Sequence, residues 1–218
     1  MYGLRAAALN NPMGLFRINR PSAEKAGAFP RDGNTNGEKM EGSVKIAVIG
    51  YSGSGKSTLA KQLAGKTGCA PLYLDTVNFL PDWRERNRDE ARERVRRELE
   101  KPNWVIDGNY RALLHAERME QADEIVWMNY PRLLCLIRAL KRYASFRGKT
   151  RESAADGCIE RMTWEFAWWI LYKGRTRERV RGYRTLAVRY PGKTVIVRND
   201  RECSVYIAGL TRQGAGQS

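Results

Sequence analysis

The sequence has few histidine and cysteine residues, which bind zinc in many proteins and which take part in many catalytic triads. It has one histidine, His115, and four widely separated cysteines, Cys69, Cys135, Cys158 and Cys203. One histidine is too few for a histidine-rich zinc site, and it makes a Ser-His-Asp triad a poor hypothesis. No C-x-x-C pair occurs, and a chain of 218 residues needs no disulfides to fold, so we expect reduced thiols in a cytoplasmic protein. Any catalysis would then use carboxylates, Lys, Arg and a hard cation.

Long hydrophobic runs and acidic residues are also scarce. No stretch of about 18 apolar residues exists, which argues against a membrane-spanning helix. The chain has 24 Asp and Glu against 39 Lys and Arg, for a net charge of +15. Between positions 132 and 184 there are fourteen basic and five acidic residues, so the excess is concentrated. Such a cluster suits phosphoryl transfer, a nucleic-acid surface or a solvated helix face.

The N-terminal part lacks the pattern of a folded domain. Residues 1–42 are rich in Gly, Asn, Pro and mixed charge, and Met40 lies just before the first strongly apolar segment. We expect 1–42 to be a disordered extension or to precede the true start of translation. The apolar run at 6–9 is too short for a secretory signal. One domain is expected over 43–212, followed by a short tail at 213–218.

The segment from Gly50 to Ser57 matches the phosphate-loop pattern G-x-x-x-x-G-K-[ST]. An apolar strand candidate precedes it and a helical pattern begins at Lys56, which is the context that a phosphate loop requires. Its glycines let several N–H groups point at one anion, and the helix adds its positive dipole end. We therefore predict binding of ATP or GTP, with Lys56 on the β- and γ-phosphates and Ser57 on Mg²⁺. The predicted contacts are Gly50, Ser52, Gly53, Ser54, Gly55, Lys56, Ser57 and Thr58.

Short apolar segments alternate with helical patterns along the chain. The predicted strands are 44–49, 71–75, 104–107, 125–128 and 194–198. Helices are predicted to begin at Lys56, at Asn87, where Asn87 and Glu90 suggest a capping box, and at Pro131. Four more helices are predicted over 111–121, 158–172, 176–190 and 203–210. A mobile loop is predicted at 147–157. Strands of this type form a parallel sheet covered by helices on both faces, a three-layer α/β fold. Ligands bind at the carboxyl ends of such strands, where Asp75 and Asp107 would lie.

Three parts of the chain resemble a known family. Residues 46–60, the pair at 74–75 and residues 104–110 are similar to the small P-loop proteins known as DNA topology modulation proteins, relatives of adenylate kinase. The resemblance spans about 44–210 and includes the aromatic stretch at 164–169. It implies a nucleoside-monophosphate-kinase-like P-loop NTPase fold with a five-stranded sheet, ATP binding and a helical lid arm at about 138–175.

The same resemblance assigns roles within the segment from Asp107 to Arg111. This segment takes the place of the Asp-Gly-Phe-Pro-Arg sequence of adenylate kinase, which implies that Asp107 holds Mg²⁺ and Arg111 meets a phosphate or carboxylate of the acceptor. Tyr110 replaces the proline, so the acceptor contacts differ from those of adenylate kinase. Alternatively, Asp107 caps a helix and Arg111 is an exposed surface residue.

Three further residues are candidates for catalysis. Arg138 and Arg142 are four apart on a predicted helix, so their guanidinium groups share one face. Their position resembles the lid of nucleotide kinases, whose arginines grip the transferring phosphoryl group, although both residues could simply be solvated. Asp75 could accept the proton of an acceptor hydroxyl or orient that hydroxyl, and a substrate-binding or capping role is an equal alternative.

Aromatic residues flank these candidates. Phe79, Trp83 and Tyr110 could stack on a flat acceptor, but aromatic residues near strand ends more often belong to the core. Trp164, Trp168 and Trp169 recur at helical spacing, and we expect them to pack the lid arm.

The sequence favours a Mg²⁺-dependent kinase that transfers the γ-phosphoryl group of ATP to a small molecule such as a nucleoside or nucleotide. A rival hypothesis is a nucleic-acid-associated ATP-binding protein whose basic segment, 132–184, contacts phosphates. A third hypothesis is nucleotide binding without turnover.

Overall fold

The structure is a computed structural model that describes residues 43–146, 152–155, 157–158 and 162–215. The predictions for residues 1–42, for most of the loop at 147–157 and for the last three residues of the tail concern positions outside these ranges. Within the described ranges, no helix has the length and apolar character needed to cross a membrane.

Five parallel strands form the central sheet, as predicted. They are β1 (Lys45–Gly50), β2 (Pro71–Tyr73), β5 (Trp104–Asp107), β6 (Glu124–Met128) and β7 (Thr194–Val197), in the order β2-β5-β1-β6-β7. In the register, Val48 of β1 lies between Asp107 of β5 and Val126 of β6. Two short strands, β3 (Phe79–Leu80) and β4 (Arg84–Glu85), form a separate antiparallel hairpin.

Helices cover the sheet. They are α1 (Lys56–Thr67), α2 (Leu74–Asn78), α3 (Arg88–Leu99), α4 (His115–Gln121), α5 (Arg132–Phe146), α6 (Trp164–Leu171), α7 (Arg177–Arg189) and α8 (Asp200–Ala215), with single 3-10 turns at Pro81–Trp83 and Lys173–Arg175.

The core has two halves, one on each face of the sheet. Alternate side chains of β1 point to opposite faces: Ile46 and Val48 join one buried cluster, while Ala47 and Ile49 join the other. The first cluster is completed from α1, α5, α6 and α8, and the second from α2, α3 and α4. This arrangement confirms the three-layer α/β fold.

Helix ends follow the expected capping chemistry. Gly68 ends α1 with a left-handed φ of 68° and donates its N–H to the Ala64 carbonyl. The Asn87 side chain begins α3 by accepting hydrogen bonds from the N–H groups of Asp89 and Glu90. The Glu90 carboxylate pairs with Arg86 and Arg94, and not with Asn87 as in a full capping box.

Several element boundaries differ from the predictions. The predicted strand at 71–75 ends at Tyr73, because Leu74 and Asp75 open the one-turn helix α2. Helix α4 begins at His115 and not at position 111, since Leu114 adopts a left-handed φ of 49° that no α-helix continues through. Helix α8 is longer than predicted and runs through 200–215.

Exposure on α5 and α6 differs from residue to residue along each helix. On α5 the buried residues are Cys135 and Ala139, whereas Leu133 is 69% exposed. Helix α6 begins at Trp164, where the Thr163 side chain caps it by accepting a hydrogen bond from the Phe166 N–H. Trp164 is 75% exposed, so it does not pack the arm as expected. Helical spacing shows which residues share one face of a helix, but it does not show whether other parts of the protein bury that face.

Candidate active site

The loop that follows β1 requires glycine at specific positions. Gly50 has φ 139°, and a Cβ there would lie 2.5 Å from the Met128 carbonyl oxygen. Gly53 has φ 78°, and a Cβ there would clash with the Cys135 carbonyl oxygen. Both contacts are too short for any side chain, so the neighbouring strand and helix shape the loop as closely as its own sequence does.

Lys56 lies across this loop. Its Nζ donates a 3.0 Å hydrogen bond to the Tyr51 carbonyl, which holds the ammonium group over the loop backbone at the start of α1. A loop of N–H groups, a lysine and a helix N-terminus together form a site for a polyphosphate. Residues 50–58 all line one cleft at the carboxyl edge of the sheet.

Ser57 and Asp107 meet at the floor of this cleft. The Ser57 hydroxyl donates a 2.6 Å hydrogen bond to Asp107 Oδ2, and Asp107 is nearly buried at the end of β5. A hydroxyl beside a carboxylate is a hard oxygen set that fits Mg²⁺. No group of three or more His, Cys, Asp or Glu that could hold a metal occurs among the described residues. The pair therefore fits a cation that nucleotide phosphates and water help to coordinate.

Asn109 holds both backbone polar groups of Gly50, the first residue of the loop. Its Oδ1 accepts a 2.9 Å hydrogen bond from the Gly50 N–H, and its Nδ2 donates a 2.5 Å hydrogen bond to the Gly50 carbonyl. Sequence reasoning assigned Asn109 no role of its own. The available signal was an amide side chain two residues beyond the carboxylate that ends a buried strand.

Arg118 of α4 holds the same segment through hydrogen bonds to its backbone. Sequence reasoning did not identify this residue. It is fully buried and donates hydrogen bonds of 3.1 Å to the Gly108 carbonyl and 2.8 Å to the Tyr110 carbonyl. Burial lowers the pKa of its guanidinium to about 10, so it remains charged at neutral pH. A buried cation that satisfies backbone carbonyls fixes the loop in one conformation.

Tyr110 and Asp75 form a second polar pair in the cleft. The Tyr110 hydroxyl donates a 2.7 Å hydrogen bond to Asp75 Oδ1. Burial, followed by the charge of Asp75, raises the pKa of Tyr110 well above its usual value, so the phenol remains a donor. Phe79 lies beside them, with its ring centroid 5.3 Å from Trp83 and 6.4 Å from Tyr110. All three aromatic residues line the cleft, and all three also pack on buried clusters: Tyr110 on the second core cluster, and Phe79 and Trp83 on a small cluster of Ala154, Ala155 and Cys158. Stacking on an acceptor stays a prediction.

Arg111 is exposed and reaches helix α7. A Cβ at Gly182 would lie 3.1 Å from a terminal nitrogen of Arg111, so the side chain approaches α7 at a residue without a side chain. Arg111 also lines the cleft.

Arg138 braces the phosphate loop. One terminal nitrogen donates a 2.9 Å hydrogen bond to the Ser54 carbonyl, and the other forms an ion pair with Asp200. The guanidinium carbon lies 4.5 Å from the centroid of the Tyr130 ring. Arg142, one helical turn further along α5, lines the same cleft. The contribution of both arginines to phosphoryl transfer stays a prediction.

Arg175, at the end of the predicted lid arm, and Tyr183 of α7 both pack against Tyr51 of the loop. The Arg175 guanidinium lies 3.6 Å from the centroid of the Tyr51 ring and donates a 2.7 Å hydrogen bond to the Tyr130 carbonyl. Tyr183 packs edge-on to Tyr51, stacks on Trp127, and donates a 3.4 Å hydrogen bond to the Gly50 carbonyl. Sequence patterns carry no signal for these contacts between distant segments.

The predicted site residues lie together. The loop, Asp75, Asp107, Arg111, Arg138 and Arg142 line one continuous cleft. The cleft thus contains the loop N–H groups and Lys56, the Ser57–Asp107 oxygen pair and a second carboxylate, Asp75. Their roles toward phosphate and metal stay predictions.

No protein-family model matches the chain, and no curated protein matches it. Among solved structures, the chain is similar to a deoxyadenosine kinase from M. mycoides with bound dATP, at 14% sequence identity and a TM-score of 0.44. The match covers 77% of this chain and 99% of that chain. The resemblance to DNA topology modulation proteins stays a prediction.

Proposed function

We propose that this protein is a Mg²⁺-dependent kinase that transfers the γ-phosphoryl group of ATP to a hydroxyl of a small molecule, such as a nucleoside or nucleotide. The observation that carries the proposal is the 2.6 Å hydrogen bond between Ser57 and Asp107, because it joins the phosphate loop to a hard-cation ligand in one cleft. A second carboxylate, Asp75, lines the same cleft.

Different residues of the cleft have different roles in the proposed reaction. The loop amides and Lys56 bind the β- and γ-phosphates of ATP, and Ser57 and Asp107 would hold Mg²⁺. When bound, Mg²⁺ neutralises charge that develops on the phosphate oxygens. Asp75, oriented by Tyr110, positions the acceptor hydroxyl and takes its proton.

Arginines complete the site. Arg142 is proposed to contact the transferring phosphoryl group directly, because planar bidentate donors best match its oxygens. Arg138 is proposed to act on the loop as well, through its hydrogen bond to the Ser54 carbonyl.

Transfer of labelled phosphate from ATP tests the proposal. A panel of nucleosides, nucleotides and sugars is incubated with the protein, Mg²⁺ and γ-labelled ATP, with Lys56→Ala as the control. Transfer to at least one acceptor that Lys56→Ala abolishes supports the kinase. ATP binding without transfer to any member would favour nucleotide binding alone.

The nucleic-acid hypothesis makes a different prediction. Binding through many Lys and Arg contacts should weaken steeply as salt rises, and activity should require DNA or RNA. Phosphate transfer that proceeds without nucleic acid would argue against that hypothesis.

A further inference from the structure

The carbonyl of Tyr51, the second residue of the phosphate loop, is shared by two donors. It accepts a 3.2 Å hydrogen bond from the Ser54 N–H and a 3.0 Å hydrogen bond from Lys56 Nζ. The first bond closes a tight turn within the loop, and the second sets the position of the lysine ammonium group. Rotation of the peptide that carries this carbonyl would therefore move the Ser52 N–H and Lys56 together.

The ring of Tyr51 is held on two sides. The guanidinium carbon of Arg175 lies 3.6 Å from the centroid of the ring, which is the distance of a close cation–π contact. Tyr183 meets the same ring edge-on, with centroids 5.3 Å apart and an angle of 77° between the ring planes. Tyr51 is also buried. The position of its ring is thus set by residues that are remote from the loop in the sequence.

Arg175 reaches Tyr51 from a hydrogen-bonded turn. It is the last residue of the 3-10 turn Lys173–Arg175, and its N–H donates a 2.9 Å hydrogen bond to the Tyr172 carbonyl. The next residue, Thr176, caps α7 with its side chain. The backbone of Arg175 therefore has a defined position between α6 and α7, and its side chain extends from there to the loop.

The head group of Arg175 has uncharged partners. One terminal nitrogen donates a 2.7 Å hydrogen bond to the Tyr130 carbonyl and lies 3.2 Å from Cys135 Sγ. Burial raises the pKa of the Cys135 thiol, so this partner stays neutral at pH 7. Among the described residues, no carboxylate forms an ion pair with Arg175.

One nitrogen of Arg175 has no partner at all in the described part of the chain. The Nε atom is buried and forms no hydrogen bond there. A buried N–H without an acceptor and a half-buried cation without a counter-ion both lower stability. Stability is therefore a poor explanation for an arginine at this position, and its contact with the phosphate loop is a better one.

We propose that Arg175 is a positioning residue for ATP binding, which acts through the Tyr51 ring to hold the Tyr51 carbonyl and Lys56 where the phosphates bind. This inference rests on the proposed function, because it requires that the loop binds ATP. Direct contact between Arg175 and a phosphate is the alternative, since Arg175 also lines the cleft.

Calorimetry on the full chain with Mg²⁺ and a non-hydrolysable ATP analogue tests the role. Arg175→Met removes the charge and the planar group but keeps an unbranched side chain, and it should weaken analogue binding about tenfold. Arg189→Met is the matched control, because the exposed Arg189 lies 5.3 Å from the Tyr190 ring at the end of α7. It should leave the affinity unchanged. Unchanged affinity in Arg175→Met would overturn the proposal.

A double-mutant cycle distinguishes positioning from direct contact. Tyr51→Leu removes the ring but keeps an apolar side chain, and it should weaken analogue binding by a similar factor. If Arg175 acts through the ring, adding Arg175→Met to Tyr51→Leu should weaken binding by less than about twofold more. Additive losses, about 100-fold in the double variant, would mean that Arg175 binds phosphate directly and would overturn the positioning role.

Thermal unfolding without ligand separates positioning from a structural role. A lower melting temperature in Arg175→Met, with unchanged analogue affinity at a temperature where the variant is folded, would identify a merely structural arginine and overturn the proposal. If Arg175→Met does not fold, the cycle is repeated with Arg175→Lys, which keeps the charge. A smaller loss that is still not additive with Tyr51→Leu is then expected, and an additive loss has the same meaning as before.

The outcomes distinguish this proposal from the proposed function. Failure of the analogue to bind the folded wild type would overturn the kinase function itself, and the role of Arg175 with it. Binding by the wild type and equally tight binding by Arg175→Met would overturn the role of Arg175 alone.

Discussion

Ser57 Oγ donates a 2.6 Å hydrogen bond to Asp107 Oδ2, and this contact joins the first turn of α1 to the carboxyl end of β5. The two residues are far apart in the sequence, and pairing of β1 with β5 brings them together. One hydroxyl and one carboxylate at a phosphate loop are the protein ligands that a nucleotide-bound Mg²⁺ requires.

The first prediction concerns this pair. Ser57→Ala and Asp107→Asn should each lower turnover about 100-fold or more and raise the Mg²⁺ concentration needed for half-maximal activity, because each removes a hard oxygen ligand. Ser57→Thr keeps the hydroxyl and should retain most activity. Steady-state rates across a Mg²⁺ titration provide the measurement, and an unchanged Mg²⁺ dependence in both variants would contradict the metal assignment.

The second prediction concerns Lys56. Lys56→Ala should lower ATP affinity or turnover by orders of magnitude, because it removes the cation nearest the β- and γ-phosphates. The fold should remain intact, since Lys56 is half-buried in the cleft and belongs to neither core cluster. Circular dichroism and calorimetry with ATP check both statements, and full activity in this variant would refute the role of the lysine.

The third prediction concerns Asn109. Asn109→Ala should weaken ATP binding by about 1–3 kcal/mol, because the N–H and the carbonyl of Gly50 each lose their hydrogen bond to the Asn109 side chain. Asn103→Ala is a matched control, since the Asn103 Oδ1 accepts a 2.7 Å hydrogen bond from the Val44 N–H just before β1, away from the loop. It should lower stability without changing ATP affinity. Equal effects on ATP affinity in the two variants would show that Asn109 does not position the loop.

The fourth prediction separates two arginines on α5. Arg138→Ala should reduce both ATP affinity and thermal stability, because Arg138 braces the Ser54 carbonyl and pairs with Asp200. Arg142→Ala should lower kcat at least tenfold. Arg177→Ala, an exposed arginine at the start of α7, serves as the control for charge alone. A kcat unaffected by Arg142→Ala would remove that residue from the transition state.

The fifth prediction concerns pH and His115. Its pKa is lowered from 6.5 to about 4 by burial and by the charges of Arg118 and Arg111. The unfolded chain therefore binds more protons than the folded chain between these values, so stability falls as pH falls from about 6.5 toward 4. His115→Gln should lose that part of the pH dependence. Denaturant midpoints of wild type and variant at several pH values provide the measurement, and parallel curves would refute it.

Sequence reasoning succeeded where a short segment carries its own physical constraint. The loop at 50–57 could be located because glycine, lysine and serine are needed at fixed spacing, and the five strands because each is a nearly continuous apolar run. Sequence reasoning gave wrong bounds for two elements. Strand β2 ends earlier than predicted, where Leu74 packs into the second core cluster. Helix α4 begins later than predicted, because Leu114 adopts a left-handed φ.

The sequence by itself determined the phosphate loop, the strand–helix alternation and the chemical types at the strand ends, because these depend on backbone geometry and periodicity within a few residues. Only the tertiary structure decided that Asn109 holds Gly50, that Tyr110 holds Asp75, and that Arg175 and Tyr183 pack on Tyr51. Such contacts join elements that are distant from one another in the sequence. Side chains distant along the chain become neighbours only when burial of the shared core fixes the order of strands and the positions of the covering helices.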